Sequence, residues 1–293
     1  MKKIGISCGG LVRTYGLDRA LEICKESGFD AIDVDLNSHN LKDAVYGGSD
    51  DAFESYFTHF KEKAKDLELE ISQSHGRCGT YVPDNDEDNE TVRRLVEKDM
   101  RATAILGAPA CVQHFMNTTR WGKQPAEVMR NAGLNMYRDF IPYAEKYKVK
   151  IAIETFGAAR IQGARIRDFF ADPNEFKYQF DKMDTEYKTM CVDTGHTHEA
   201  ESFWVPSPEE YIRILGSDVT LLHLHDNNGH YDDHLLPGMG NINWQKVFDS
   251  LDDIGYKGVY NFELSLKFGK LNEQFVNFAG RYLRRFVDER GVL

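Results

Sequence analysis

A chain of 293 residues with 36 Lys+Arg against 47 Asp+Glu carries a formal net charge of −11, a field that repels polyanions and anionic bilayers and so argues against nucleic acid or membrane as partners. Hydrophobic residues make up 41% and charged residues 28%, with no run long enough to span a bilayer and a start too poor in apolar residues for a signal peptide; a globular, cytoplasmic protein with a sizeable core is expected. The five cysteines, Cys8, Cys24, Cys78, Cys111 and Cys191, are odd in number and scattered, with no Cys-x-x-Cys pair to hold zinc or run redox chemistry, which fits a reducing compartment.

Short apolar runs that end in polar residues alternate with stretches of helical periodicity along the whole chain. In chain order the strands are expected at Lys3 to Cys8, Ala31 to Asp35, Glu70 to His75, Ala110 to Phe115, Lys150 to Glu154, Met190 to Asp193, Val219 to Leu224 and Gly258 to Glu263. Between and after them, helices are expected at Leu17 to Ser27, Ala52 to Asp66, Asn89 to Leu106, Ala126 to Tyr147, Pro208 to Leu215, Trp244 to Asp252 and Leu271 to Asp288. Gly28, Gly107, Gly216 and Gly255 follow helical stretches, as left-handed caps do. The acidic stretch Asp84 to Asp88 reads as a solvated loop. Eight strands in strict βα alternation, with no Gly-x-Gly-x-x-Gly after the first, predict an α/β protein of the (β/α)₈ TIM barrel type, one domain over residues 1–293.

In such a barrel the side chains at the C-terminal strand ends converge on the axis, so these ends are where chemistry is expected. Five of them supply metal-ligand or acid–base residue types: Ser74-His75, Gln113-His114, Ile153-Glu154, Val192-Asp193 leading to His196, and His223. The loop Asp232-Asp233-His234 and the strand end Phe262-Glu263 add four more such residues. A carboxylate in an apolar strand costs several kcal/mol unless paired, roughly, and no partner for Glu154 is apparent in its own strand. Metal ligation is therefore expected of Glu154, Asp193, His223 and Glu263, whereas His75 and His114 are read as contacts to substrate hydroxyls. His225 is expected to turn away from His223, towards helices or a loop, and His39, His59, His198 and His230 to lie on the surface or in loops. Phe115, Trp121, Phe156 and Trp204 offer faces for a sugar ring or packing beneath the loops. Pro237-Gly-Met-Gly240 offers backbone amides for a phosphate, or a tight turn into the last βα unit.

Three stretches, Ile151-Ala-Ile-Glu154-Thr155, Cys191-Val-Asp193-Thr-Gly-His196 and His223-Leu-His-Asp226-Asn-Asn-Gly229 leading to Asp232-Asp-His234-Leu-Leu-Pro-Gly238-Met-Gly240, resemble the xylose-isomerase-like barrel superfamily. That superfamily includes sugar isomerases and epimerases, inosose dehydratases and zinc-dependent apurinic endonucleases. The resemblance implies one divalent ion on Glu154, Asp193, His223 and Glu263, an oxygen-rich site that favours Mn²⁺ and also admits Mg²⁺, Co²⁺ or Zn²⁺. It implies a small carbohydrate or cyclitol substrate, oriented by His75, His114, His196, Asp232 and His234, with Glu154 and Glu263 moving the proton alpha to a carbonyl; homo-oligomers are common among such barrels. Isomerisation, epimerisation and inosose-type dehydration all start from that proton transfer. The nuclease branch uses histidines where this chain has His75, His114, His196 and His234, and a carboxylate at Asp232, but the net negative charge holds a DNA backbone poorly. A non-enzymatic sugar-binding barrel is the third reading.

Overall fold

The structure is a computed structural model that describes residues 1–78, 81–83, 85–116, 118–122, 124–162, 164–265 and 271–292. Eight parallel strands form its centre: β1 (Ile4–Ser7), β2 (Ala31–Asp35), β3 (Glu70–His75), β4 (Ala110–Gln113), β5 (Lys150–Glu154), β8 (Lys188–Asp193), β9 (Val219–His223) and β10 (Tyr260–Phe262). An antiparallel hairpin, β6 (Ala158–Ile161) and β7 (Ala164–Arg167), interrupts the count. Neighbouring strands pair in chain order, and β10 returns to pair with β1. Between β9 and β10 the ring closes through a parallel bridge of Leu224 with Phe262, where Leu224 N donates to Asn261 O at 2.8 Å. The (β/α)₈ barrel is thus established, with no free sheet edge to protect.

Alternation along the strands divides the chain's apolar residues into two sets. Ile32 and Val34, Cys111, Ile151 and Ile153, Val192, and Leu222 and Leu224 belong to the large core shared with the surrounding helices. Ala110 and Val112, Ala152, Cys191 and Leu221 form a separate small cluster. Because residues two apart on a strand share a face, His114, Glu154, Asp193 and His223 continue the inward set up to the C-terminal mouth. Asp33 and Gln73 continue the inward phase on β2 and β3, and both are buried.

Helices Ala126–Tyr147 and Pro208–Leu215 match the sequence reading to the residue, and the others shift at their ends. The acidic stretch is a correction: Asp86 opens the helix Asp86–Leu106, where acidic side chains favour the positive end of the dipole, while Asp84 lies outside the described residues. Helices Gly9–Tyr15, Pro173–Lys182 and Thr194–Glu201, the short turn of helix Thr118–Trp121 and the β6–β7 hairpin are additions to the expected set. Among the described residues no helix is long and apolar enough to cross a membrane.

Candidate active site

A cavity of about 640 Å³ opens at the C-terminal mouth of the strands, and His75, His114, Glu154, His196, Asp232, His234 and Glu263 all stand on its wall. Glu154 is completely buried at its floor and ties the arrangement together. Its Oε1 accepts from His223 Nδ1 at 2.7 Å, and its Oε2 lies 2.5 Å from His114 Nε2 and 3.6 Å from His75 Nε2. Burial alone pushes the Glu154 carboxyl up, but the His114 and His223 imidazoles outweigh it and hold the group well below the usual carboxylate range. His223 Nε2 in turn lies 3.2 Å from Asp33 Oδ2 and 2.8 Å from the Gln73 amide nitrogen, and its Nδ1 lies 3.4 Å from Glu263 Oε2. Burial works against a charged His223, yet Cys191, Glu154 and Glu263 raise its proton affinity well above the ordinary imidazole value.

Asp193 is placed differently from the other three expected ligands. It ends β8 and caps the helix Thr194–Glu201, its Oδ1 accepting from His196 N at 2.7 Å, so its other oxygen is aimed by the cap. That oxygen, Oδ2, meets His225 Nε2 at 3.0 Å. Ligand atoms of His75, Glu154, His223 and Glu263 all lie within 4.8 Å of one another, as do those of Glu154, Asp193 and His196. The structure therefore brings Glu154, His223 and Glu263 into one group and places Asp193 in an adjoining one that shares Glu154.

His225 is a correction to the sequence reading. Positions 223 and 225 are two apart and share a face; Leu222 and Leu224 take the other. His225 is fully buried and stacks on His234 with ring centroids 3.9 Å apart, and with Asp232 and His234 it forms a third ligand-type group. Space for it depends on Gly195, where an added Cβ would fall 1.9 Å from His225 Cε1. Gly195→Ala is expected to displace the ring and weaken a bound divalent ion by about 10–100-fold, with the circular dichroism unchanged. Isothermal titration with Mn²⁺ checks this; an unaltered affinity separates His225 from the ion.

Asp33 and Cys78 also enter the site without having been singled out. Asp33 carries a signal that alternation exposes, an acid flanked by buried Ile32 and Val34. Cys78 has only its position three residues after His75; burial raises its thiol, but His114 and His75 together bring it down to about 6. His114 answers at about 9, because Cys78 and Glu154 outweigh its burial.

Of the expected aromatic contacts, Phe115 is buried against Phe170 at 4.2 Å between centroids, Trp121 packs on the core, and Trp204 is 98% exposed. Phe156 alone borders the site, its ring edge-on to His114 at 5.6 Å. The Pro237-Gly240 turn is bonded to the protein itself, Gly238 N donating to Asp226 Oδ2 at 2.8 Å, so the tight-turn reading describes it.

A divalent cation fits these residues. Glu154 Oε2 is buried with only the imidazoles of His114 and His75 beside it, at 2.5 and 3.6 Å, so its charge requires protons on those rings or a cation. Around them, Glu154, Asp193 and Glu263 offer hard oxygen donors, and protons on the imidazoles perform the charge compensation an ion would supply. One consequence is measurable without substrate. Burial lowers His234 but Asp232 and Glu263 raise it to about 10, so the folded chain holds a proton the unfolded chain releases near 6.5. The stability that the His234 proton contributes to the ion-free protein is accordingly fully present below pH 6.5 and is lost as pH rises through about 10, which thermal denaturation across that range tests.

A family model described as xylose isomerase-like TIM barrel matches residues 21–273. The chain belongs to that family. Within and around it, the uncharacterized protein MJ1311 of Methanocaldococcus jannaschii is 29% identical over 188 residues, 60% of this chain and 58% of that protein. The uncharacterized protein y4fM of Sinorhizobium fredii is 23% identical over 185 residues, 62% of this chain and 56% of that protein. The chain matches less than two thirds of the length of either relative. Among solved structures of this barrel type, a D-tagatose 3-epimerase-like protein superposes with a TM-score of 0.75 at 21% identity, covering 99% and 98% of the two chains. D-psicose 3-epimerase gives 0.74 at 14% identity, covering 99% of each, and the E. coli 3-keto-D-glucoside 4-epimerase YcjR gives 0.73 at 15%, covering 97% of this chain and 100% of that one. At these identities the likeness establishes the shared barrel.

Proposed function

We propose that this protein is a divalent-metal-dependent sugar epimerase or isomerase that moves a proton on the carbon next to a carbonyl of a ketose or keto-cyclitol. The observation that carries this reading is Glu154, a fully buried carboxylate surrounded by imidazoles at the floor of a polar cavity that Glu263 also lines. Glu154, Asp193 and Glu263 supply the oxygen donors, and the imidazole comes from the His223-x-His225 pair. His223 has the stronger claim, since its Nδ1 stands with Glu154 and Glu263 in one ligand-type group, whereas His225 groups with Asp232 and His234. Bound there, a divalent ion polarises a substrate carbonyl and acidifies the neighbouring C–H.

The chain's own groups then account for the proton traffic. Glu154 is held ionised by its imidazoles and is ready to accept; Glu263, 26% exposed on the cavity wall, reaches the substrate from the other side. Removal on one face and delivery on the other give epimerisation; return to the adjacent carbon gives aldose–ketose isomerisation. Asp232, held by His196 at 3.4 Å and His234 at 3.1 Å, offers its carboxylate to substrate hydroxyls from one wall of the cavity, and His75 and His114 face the substrate from the β3 and β4 ends. The epimerases among the structural neighbours support the class.

The test is a screen of ketoses and inososes for uptake of deuterium from heavy water by the Mn²⁺-loaded protein, with metal analysis alongside. Exchange at the α-carbon with one carboxylate-bound ion is expected; absence of exchange with every substrate, in protein that holds the ion, overturns the reading. One observation favours a second reading. The donors form several overlapping groups instead of one, as a multi-ion hydrolase acting on phosphodiesters requires. Three zinc ions per chain together with cleavage of abasic DNA decide for it.

A further inference from the structure

Asp226 follows the two histidines at the end of β9, and the chemistry proposed above leaves it without a task. It is completely buried, yet it does not line the cavity; its side chain turns to the helix Trp244–Asp253. Oδ1 accepts from Asn227 N at 2.9 Å and from Ile242 N at 3.2 Å. Oδ2 accepts from Gly238 N at 2.8 Å and from Trp244 Nε1 at 2.9 Å. These partners are all N–H donors, so both oxygens must be acceptors. A carboxylate meets that demand, whereas the amide of an asparagine would set N–H against N–H on one side.

The backbone of the same residue closes a loop. Asp226 N donates to Leu235 O, and Leu235 N to Asp226 O, both at 2.8 Å. Residues 227–234 thereby return to their starting point, and they carry Asp232 and His234 to the cavity wall. Asn227 fastens the same segment: its Oδ1 accepts from Gly229 N at 2.8 Å, its carbonyl from Asn241 N at 3.1 Å, and its Nδ2 donates to Gly195 O at 2.9 Å, in the helix that bears His196. At the wall itself His234 holds φ 48°, a left-handed conformation that a non-glycine residue keeps only where its surroundings fix it. The packing leaves no slack, because a Cβ on Gly240 would fall 2.2 Å from Asp226 Oδ1 and 2.2 Å from Asn227 O.

We propose that Asp226 is the positioning residue for the substrate-facing wall formed by Asp232 and His234, gathering both arms of the 227–242 segment onto one buried carboxylate that never meets substrate. The proposed ion ligands Glu154, Asp193, His223 and Glu263 lie at or beside strand ends and do not depend on this loop. The substrate part of the inference rests on the sugar reading, while the placement of the loop does not.

Asp226→Asn is the first test. Gly240→Ala is the second, since it pries the same segment away without touching the carboxylate. The Cε1–H NMR signals of His225 and His234, displaced by ring stacking at 3.9 Å, are expected to lose that displacement in each variant, while those of His75 and His114 stay in place. Affinity for Mn²⁺ should stay within about threefold of the parent, and KM for an exchanging ketose should rise about 10–100-fold with kcat little changed, the usual weight of charge-assisted hydrogen bonds to substrate. Unmoved His225 and His234 signals in both variants overturn the proposal, as does a KM at the parent value. A loss of Mn²⁺ affinity as large as the rise in KM also overturns it, because Asp226 then supports the whole strand end. Should Asp226→Asn not fold, Gly240→Ala decides alone. If the wild-type protein exchanges no ketose, the sugar reading fails and the histidine signals still decide the placement.

Discussion

Glu154→Gln is expected to remove ketose proton exchange by about 10²–10⁴-fold, the usual weight of a positioned acid–base group, and to lower Mn²⁺ affinity with it. The substitution keeps shape and burial but replaces a carboxylate by a neutral amide at the one point where the imidazoles of His75, His114 and His223 converge. Those rings owe part of their raised proton affinity to the Glu154 charge, so they should release protons at lower pH in the variant. Histidine titration by NMR reads this directly, and it separates loss of charge from loss of fold. Exchange at the wild-type rate, with unaltered histidine titration, removes Glu154 from both roles.

The barrel was legible because period-two alternation and punctuating glycines survive in single-sequence form, and the strand ends named their own polar residues. What was less legible followed from geometry that a linear reading does not carry. Helix Pro173–Lys182 begins with Asp172 capping Asn174 and Pro173 in the first turn, a start signal that its weakly apolar body obscured. His225 was assigned to the wrong face although alternation, applied two residues further along β9, places it beside His223. Asp193 was taken as an equivalent of Glu154; its role as the cap of the following helix turns it instead toward His225. Cys78 belongs to the site only because β3 and β4 are neighbours and a backbone bond from His114 to Arg77 folds the intervening segment inward. In sequence, only its spacing after His75 separates it from the four cysteines of the core.

That segment rests on a buried ion pair, and breaking the pair is the second large effect. Arg77 donates Nε–H and Nη2–H to the two oxygens of Asp99, both at 2.8 Å, and both side chains are almost wholly buried. The remaining donors and acceptors are also matched: Arg77 Nη1 reaches His39 O at 2.7 Å and Nη2 the carbonyl of Leu36, while Tyr46 donates to Asp99 Oδ1 at 2.8 Å. Asp99→Ala leaves a guanidinium in the interior with its carboxylate gone, which costs about 3–5 kcal/mol. Against a total of about 5–15 kcal/mol for a typical domain, that is enough to lower the urea midpoint sharply. Joining Arg77→Met to it removes the stranded charge and should return much of the loss, because a buried pair is costly to halve and cheap to replace whole. The site supplies a second readout. Arg77 N donates to Gln113 Oε1 at 2.9 Å and its carbonyl accepts from His114 N at 3.0 Å, backbone groups that Arg77→Met keeps, so the double variant should hold His75 and His114 in place once stability returns. Recovered stability with Mn²⁺ binding close to that of the parent is therefore the expected pair of results; an Asp99→Ala protein as stable as the parent shows that the pair contributes nothing to the fold.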